Sequence, residues 1–161
     1  MKNAAPRPDT LIQTRNNAIK GNRMQMPSIT GFYLALLALL YAALALQVAR
    51  LRRGNRVLFG DGENIRLRSA IRAHANFVEY VPIVALLVAT LEMSGLSAIW
   101  VHVLMGALLA ARLLHPLGMY SKPGTWQFSA GRVGGIVITI SVLIAAALFA
   151  LARFSSTIGG H

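Results

Sequence analysis

The sequence has no cysteine among its 161 residues. That removes disulfides, thiolate metal sites and a cysteine nucleophile together. Charge is scarce: 13% of the residues are charged, against roughly a quarter in a soluble domain. Acidic charge is scarcer still, with 5 Asp and Glu against 16 Lys and Arg. There is no G-x-S-x-G, no Walker loop and no dinucleotide fingerprint, so no nucleotide or hydrolase motif organises the chain. Internal repeats are absent, and the only compositional bias is the alanine content of the apolar runs.

Long apolar blocks dominate what is present. Hydrophobic residues make up 55% of the chain and the mean hydropathy is +0.56. Blocks of about 20 apolar residues are long enough to cross a bilayer as helices. Four are expected, over residues 29–49, 70–91, 96–114 and 133–152. This predicts an all-α integral membrane protein, a four-transmembrane-helix bundle with membrane lipids as its immediate partners. Residues 1–25 are polar and basic without an apolar period, which predicts a disordered N-terminal tail. The working domain then covers residues 26–154, opening at Met26, and residues 155–161 form a flexible C-terminus. Ala43-Leu44-Ala45 could pass for a signal-peptide cleavage site, but the apolar run continues to Val48 and meets Arg50-Leu51-Arg52-Arg53, a stop-transfer pattern.

The formal net charge of +11 would suggest nucleic acid in a soluble protein. Here the charge lies in loops between apolar spans, so anionic headgroups and membrane topology account for it, and no nucleic-acid partner is expected. Lys and Arg concentrate between Arg50 and Arg72 and between Arg112 and Arg132, while the connection 92–95 has none. The positive-inside rule then places both basic loops in the cytoplasm and both termini outside, with the basic tail arguing the other way.

Polar side chains inside the second span are the exception to this pattern. At about 100° per residue, with Arg72 as zero, Asn76 lies at about 40° and Glu79 at about −20°, so all three share one helix face. Charge within a membrane helix costs a few kcal/mol or more and rarely faces lipid. One reading is an interhelical network, Glu79 with Arg112 or Arg72, in which Arg112 lies at the level of Arg72. The other is a pocket for an anionic or zwitterionic molecule, with arginines taking carboxylates, Glu79 an amine and Asn76 an amide. His74 lies off this face, and His102 stands alone on an apolar span; both read as structural. His74 and Glu79 do not share a face, so no metal site is expected. Gly131-x-x-x-Gly135 reads as close helix packing. His115 could cap the third helix or touch a ligand.

The run Arg72-Ala73-His74-Ala75-Asn76-Phe77-Val78-Glu79-Tyr80-Val81-Pro82 resembles the second-helix signature R-A-x-x-N-x-x-E-Y-x-P of the MAPEG family, the membrane-associated proteins in eicosanoid and glutathione metabolism. Leu46-Gln47-Val48 with Arg52-Arg53 and Arg56-Val57 is similar to the end of that family's first helix. Ala111-Arg112-Leu113 with Gly118 is similar to the end of its third. The Gly60-Asp61-Gly62 turn and the Glu92-Met93-x-Gly95 connection resemble its small bacterial inner-membrane branch. The resemblance implies a homotrimer of four-helix subunits in the inner membrane, with glutathione as co-substrate between subunits. By carry-over Arg52, Arg72, Asn76, Glu79, Tyr80, Arg112 and His115 would bind it, with Arg112 as the candidate for catalysis. A lipophilic small molecule would be the second substrate.

Two departures bear on activity. The tyrosines that follow the third-helix arginine in the leukotriene synthase branch are replaced by His115 and Met119, with Tyr120 adjacent. The arginine that stabilises the glutathione thiolate there falls by counting on Trp126, which cannot do so, and Arg132 or Lys122 would reach that place only after a shift of the loop. Three functions therefore stand side by side: a glutathione transferase or peroxidase, a non-catalytic protein binding a lipid or partner protein through the same cleft, and a small transporter or assembly subunit.

Overall fold

A computed structural model describes residues 26–121 and 124–158, with the last three, 156–158, described by backbone alone. The expected tail 1–25, Lys122 and residues 159–161 lie outside the described residues. All regular structure among the described residues is helical: α1 (Ser28–Asn55), α2 (Ile65–Met93), α3 (Ala98–Met119) and α4 (Gly135–Ile158). A short helical turn, Trp126–Phe128, and a π-helical turn, Ser129–Gly134, lead into α4. All four long helices are long and apolar enough to cross a membrane. Each runs antiparallel to the next, so the 56–64 and 120–134 connections share one end of the bundle. The other end holds the 94–97 connection and the start of α1.

Several boundaries differ from the sequence expectation. Arg50, Arg52 and Arg53 belong to α1 rather than to a loop, because the helix runs on to Asn55. Arginine is a good helix former, and a cation in the last turn complements the free carbonyls there. Arg56 stops the helix in the left-handed conformation, φ 54°, with its N–H turned back to the carbonyls of Arg52 and Arg53. Asn64 starts α2 as a side-chain cap, accepting from the N–H groups of Arg66 and Leu67. The third helix passes through Pro116 to Met119 instead of ending at Leu114. The fourth continues to Ile158, so residues 155–158 are helical rather than a flexible end.

The core follows from helical spacing. On α2, Val81, Val84, Val88 and Leu91 are buried, and Val101, Leu104, Met105 and Leu108 meet them from α3. Helix α1 buries only Thr30, Leu37 and Leu44, a narrow stripe spaced by sevens. It packs on α2 and α3 but not on α4. The rest of its surface, including Leu39 and Leu46, is exposed and apolar, as a lipid-facing helix requires.

Glycine sets the distance between α3 and the π-helical turn. A Cβ on Gly131 would stand 2.5 Å from the backbone nitrogen of Gly118, and one on Gly118 would stand 2.2 Å from that of Arg132. Gly135 packs similarly against Ala111 and His115. The Gly131-x-x-x-Gly135 pair is thus spent inside the chain. Backbone cannot yield as a side-chain tip can, so Gly131→Ala is expected to cost about 2 kcal/mol by overpacking. Thermal unfolding in detergent tests this, and an unchanged midpoint would refute it.

Candidate functional site

Arg112 occupies the centre of the α2–α3–α4 contact and is 2% exposed. Its Nη1 donates to the Asn76 side-chain oxygen at 2.5 Å and to the Asn76 carbonyl at 3.3 Å. Nη2 donates to the Thr139 hydroxyl and to the Gly135 carbonyl, the latter at 3.3 Å. One guanidinium fork thereby joins three helices. The expected partner, Glu79, takes no part, and Arg112 lies one turn deeper than Arg72. The reason is geometric: Arg112 projects into the bundle, whereas Arg72 and Glu79 project out of it. Thr139 gave no signal as a partner, because a lone threonine in an apolar span resembles any other small packing residue. Among the described residues two buried side-chain nitrogens have no hydrogen-bond partner, Nε of Arg112 and Nδ1 of His115. His115 is an interior residue of α3, packed against Gly135, and not a cap. Tyr80 is half-buried, near enough to the Arg112 guanidinium to act on it electrostatically.

The outer face of α2 is different. Arg72 and Glu79 are exposed, and no hydrogen bond or ion pair joins their side chains to another described residue. Glu79 lies halfway along the 29-residue helix. Two clefts flank this face at its basic end. One, of about 400 Å³, is lined by Arg52, Gly60, Asp61, Arg68, Ile71 and Arg72. The other, of about 230 Å³, adds Ser69, Met119, Ser121, Phe128 and Arg132 to Arg68 and Arg72. Arg52 turns its Nη1 to the carbonyls of Gly60 at 3.0 Å and Leu58 at 3.3 Å. Arg68 pairs with Asp61. That guanidinium, helped by the Glu63 N–H, holds the Asp61 carboxyl below the usual carboxylate range. In the sequence Arg68 is one of six loop arginines, read as a solvated basic loop or as cations some of which reach back to an anionic ligand, and Asp61 belongs to the turn between them; their pairing is visible only in the fold.

The π-helical turn settles where cations from the fourth span fall. Trp126 opens the helical turn and is 74% exposed. Arg132 lies within the π turn and lines the second cleft, its guanidinium 5.4 Å from the centre of the Phe128 ring. Tyr120, just past α3, lies near enough to the Gln47 side chain of α1 to feel its dipole. A third cleft, about 270 Å³, is apolar and lies between α1 and α2, lined by Leu34, Leu37, Tyr41, Phe77, Val81 and Pro82 among others. His74 stacks on Tyr41 at 4.9 Å, and His102 meets the Tyr33 hydroxyl at 3.2 Å, so both histidines serve helix contacts. No group of three His, Asp or Glu side chains among the described residues could hold a metal ion.

At the opposite end of the bundle is Glu92, which the sequence placed in a connection. It is the penultimate residue of α2 and 8% exposed. Its carboxylate accepts from Ile29 N at 2.9 Å, Thr30 N at 2.9 Å and the Thr30 hydroxyl at 2.7 Å. It caps the start of α1 from another helix, where Pro27 has no side-chain cap to offer.

Residues 30–152 match the sequence pattern of the MAPEG family. The Inner membrane protein YecN of Escherichia coli K12 is 41% identical over 101 residues, which is 63% of this chain and 77% of that protein. Its counterpart in Escherichia coli O6:H1 matches to the same extent, 41% over 101 residues.

Proposed function

The chain belongs to the MAPEG family, and from that premise we propose that it is a bacterial inner-membrane protein that binds glutathione between subunits of a homotrimer and offers it to lipophilic electrophiles or peroxides. One observation above all supports this reading. Arg72 and Glu79 lie on the outside of the subunit, Glu79 halfway along a membrane-spanning helix, without a partner among the described residues of their own chain. Such charge rarely faces lipid. A second copy and a zwitterionic ligand would cover it together.

The chemistry of the face is complementary to glutathione, which has two carboxylates, one ammonium and two peptide groups. Arg72, with Arg52 and Arg132 in the adjoining clefts, supplies cations for the carboxylates, and Glu79 an anion for the ammonium. A guanidinium near the thiol favours the thiolate. The thiolate then attacks the second substrate, with the protein contributing charge and proximity. No side chain of the protein need form a covalent bond. Arg112 acts from behind, holding the α2 backbone at Asn76.

A second reading, binding without turnover, is favoured by Trp126 at the position where an arginine activates the thiol in the leukotriene synthase branch. Calorimetric titration of glutathione into the purified protein separates the possibilities. Arg72→Ala and Glu79→Ala are each expected to weaken binding about ten- to a hundredfold, as loss of one charge-assisted hydrogen bond does. Both should leave thermal stability near that of the native protein, because neither side chain bonds another described residue of the subunit. Equal binding by both variants would sink the reading. Thiolate absorbance in the ultraviolet then distinguishes turnover from binding alone.

A further inference from the structure

The turn between α1 and α2 is folded back onto the bundle. Arg52 holds the carbonyls of Leu58 and Gly60, and the Asn64 side chain donates to Asn55 at 2.8 Å. Gly60 and Gly62 have φ of 68° and 54°, a conformation that glycine adopts without cost, and it lets the turn reverse within a few residues. The result is to set the Asp61 carboxylate on Arg68, in a cleft otherwise lined by Arg52 and Arg72 among its charged groups. Arg68 and Arg72 also form one wall of the second cleft, with Arg132 opposite. Three arginines lining the cleft that holds one carboxylate make the charge pattern of an anion site, and here the anion, paired with Arg68, belongs to the chain itself.

The strength of the contact suits exchange rather than support. The two side chains are 53% and 30% exposed. Ion pairs at such exposure contribute about 0–1 kcal/mol. A ligand carboxylate can replace one of them at little cost, and a guanidinium can take it in a two-pronged pair. Released, the 57–64 turn exposes Arg52 as well, since the carbonyls that hold Arg52 are in the same turn.

We propose that Arg68 is a ligand-binding residue masked by Asp61: a carboxylate of the entering ligand replaces the Asp61 carboxylate on Arg68, and the 57–64 turn moves aside. The ligand is glutathione, so the proposal rests on the function proposed above. It names two residues for the site that the helix signature does not contain, and it makes the turn a competitor for the anion pocket.

The test is calorimetric titration of glutathione into the full chain in detergent. Asp61→Asn keeps an acceptor for the Glu63 N–H and removes the competing charge, so binding should tighten about two- to fivefold, the equivalent of an exposed ion pair. Glu63→Gln removes an equal charge from the same turn and should leave affinity unchanged, which separates competition from general electrostatics. Arg68→Gln should weaken binding about tenfold and abolish the gain from Asp61→Asn in the double variant, as expected of two groups that share one contact. Amide hydrogen exchange in residues 58–63 should quicken when glutathione is added to the native chain. Glutathione binding that is equal in the native and Asp61→Asn chains, or unaffected by Arg68→Gln, overturns the mask and leaves the glutathione reading standing. Absence of binding in native and Asp61→Asn chains alike overturns both.

Discussion

Arg112→Ala is expected to destabilise the subunit by about 3–5 kcal/mol, the range for removing one member of a buried, hydrogen-bonded charge cluster. The loss has two parts. Asn76, Thr139 and the Gly135 carbonyl lose the donor they share. A cavity also opens among three helices, because Arg112 is the largest fully buried side chain among the described residues. Arg112→Lys should recover only part of this, since a single ammonium cannot reproduce the two-nitrogen fork that serves α2 and α4 at once. Unfolding in a denaturing detergent, followed by helix content, gives the magnitude. The experiment also separates two roles. If Arg112→Ala keeps native stability and loses only glutathione binding, the residue is a ligand contact and the brace is wrong.

Glu92→Ala has the second largest expected effect, about 2–4 kcal/mol, because donors at the start of α1 lose their acceptor in an apolar surrounding. Glu92→Gln keeps an oxygen there and gives up the interaction of full charge with the helix dipole, about 1 kcal/mol. The order native, Gln, Ala in thermal midpoint is the expected result. Amide exchange should show where the loss falls, with residues 29–33 opening first in the alanine variant. An alanine variant as stable as the native protein would show that the carboxylate does not cap α1. The site end of the molecule should be little affected, since Glu92 and Arg72 lie at opposite ends of α2.

Much of the architecture was readable because its physics is local and one-dimensional. Long apolar runs must become helices in a bilayer, where every backbone group needs a partner within its own segment. Four spans, a short second connection and a polar face on α2 all follow from that rule. The roles of His74 and His102 as structural residues were legible for the same reason, since each lay on the wrong face or alone in an apolar setting. The Gly131-x-x-x-Gly135 spacing announced close packing, although only the fold shows that its partner is Gly118 in the same chain.

Pairing across helices was not readable, and of the two readings offered the ion-pair network is not the one Arg112 forms. Opposite charge suggested Glu79 for Arg112, yet Arg112 takes neutral oxygens from Asn76 and Thr139. Charge complementarity names suitable partners, but the rotation of each helix about its axis decides which are within reach. Glu92 illustrates the same limit. Its position at a span boundary looked like a solvated connection, and only the approach of α1 made it a cap.

The sequence by itself determined that this is a four-span helical membrane protein, that α2 carries Arg72, Asn76 and Glu79 on one face, and that the family signature runs along that face. Spacing along a helix is enough for each of these. The tertiary structure alone decided how that face is divided: Asn76 turned inward to Arg112, Arg72 and Glu79 left on the outer surface, and Asp61 folded onto Arg68 beside them. The reason is that a helix period of 3.6 residues assigns directions only relative to the helix itself. What lies in each direction depends on neighbours distant in sequence, and it is those neighbours that separate the brace from the outer charged surface.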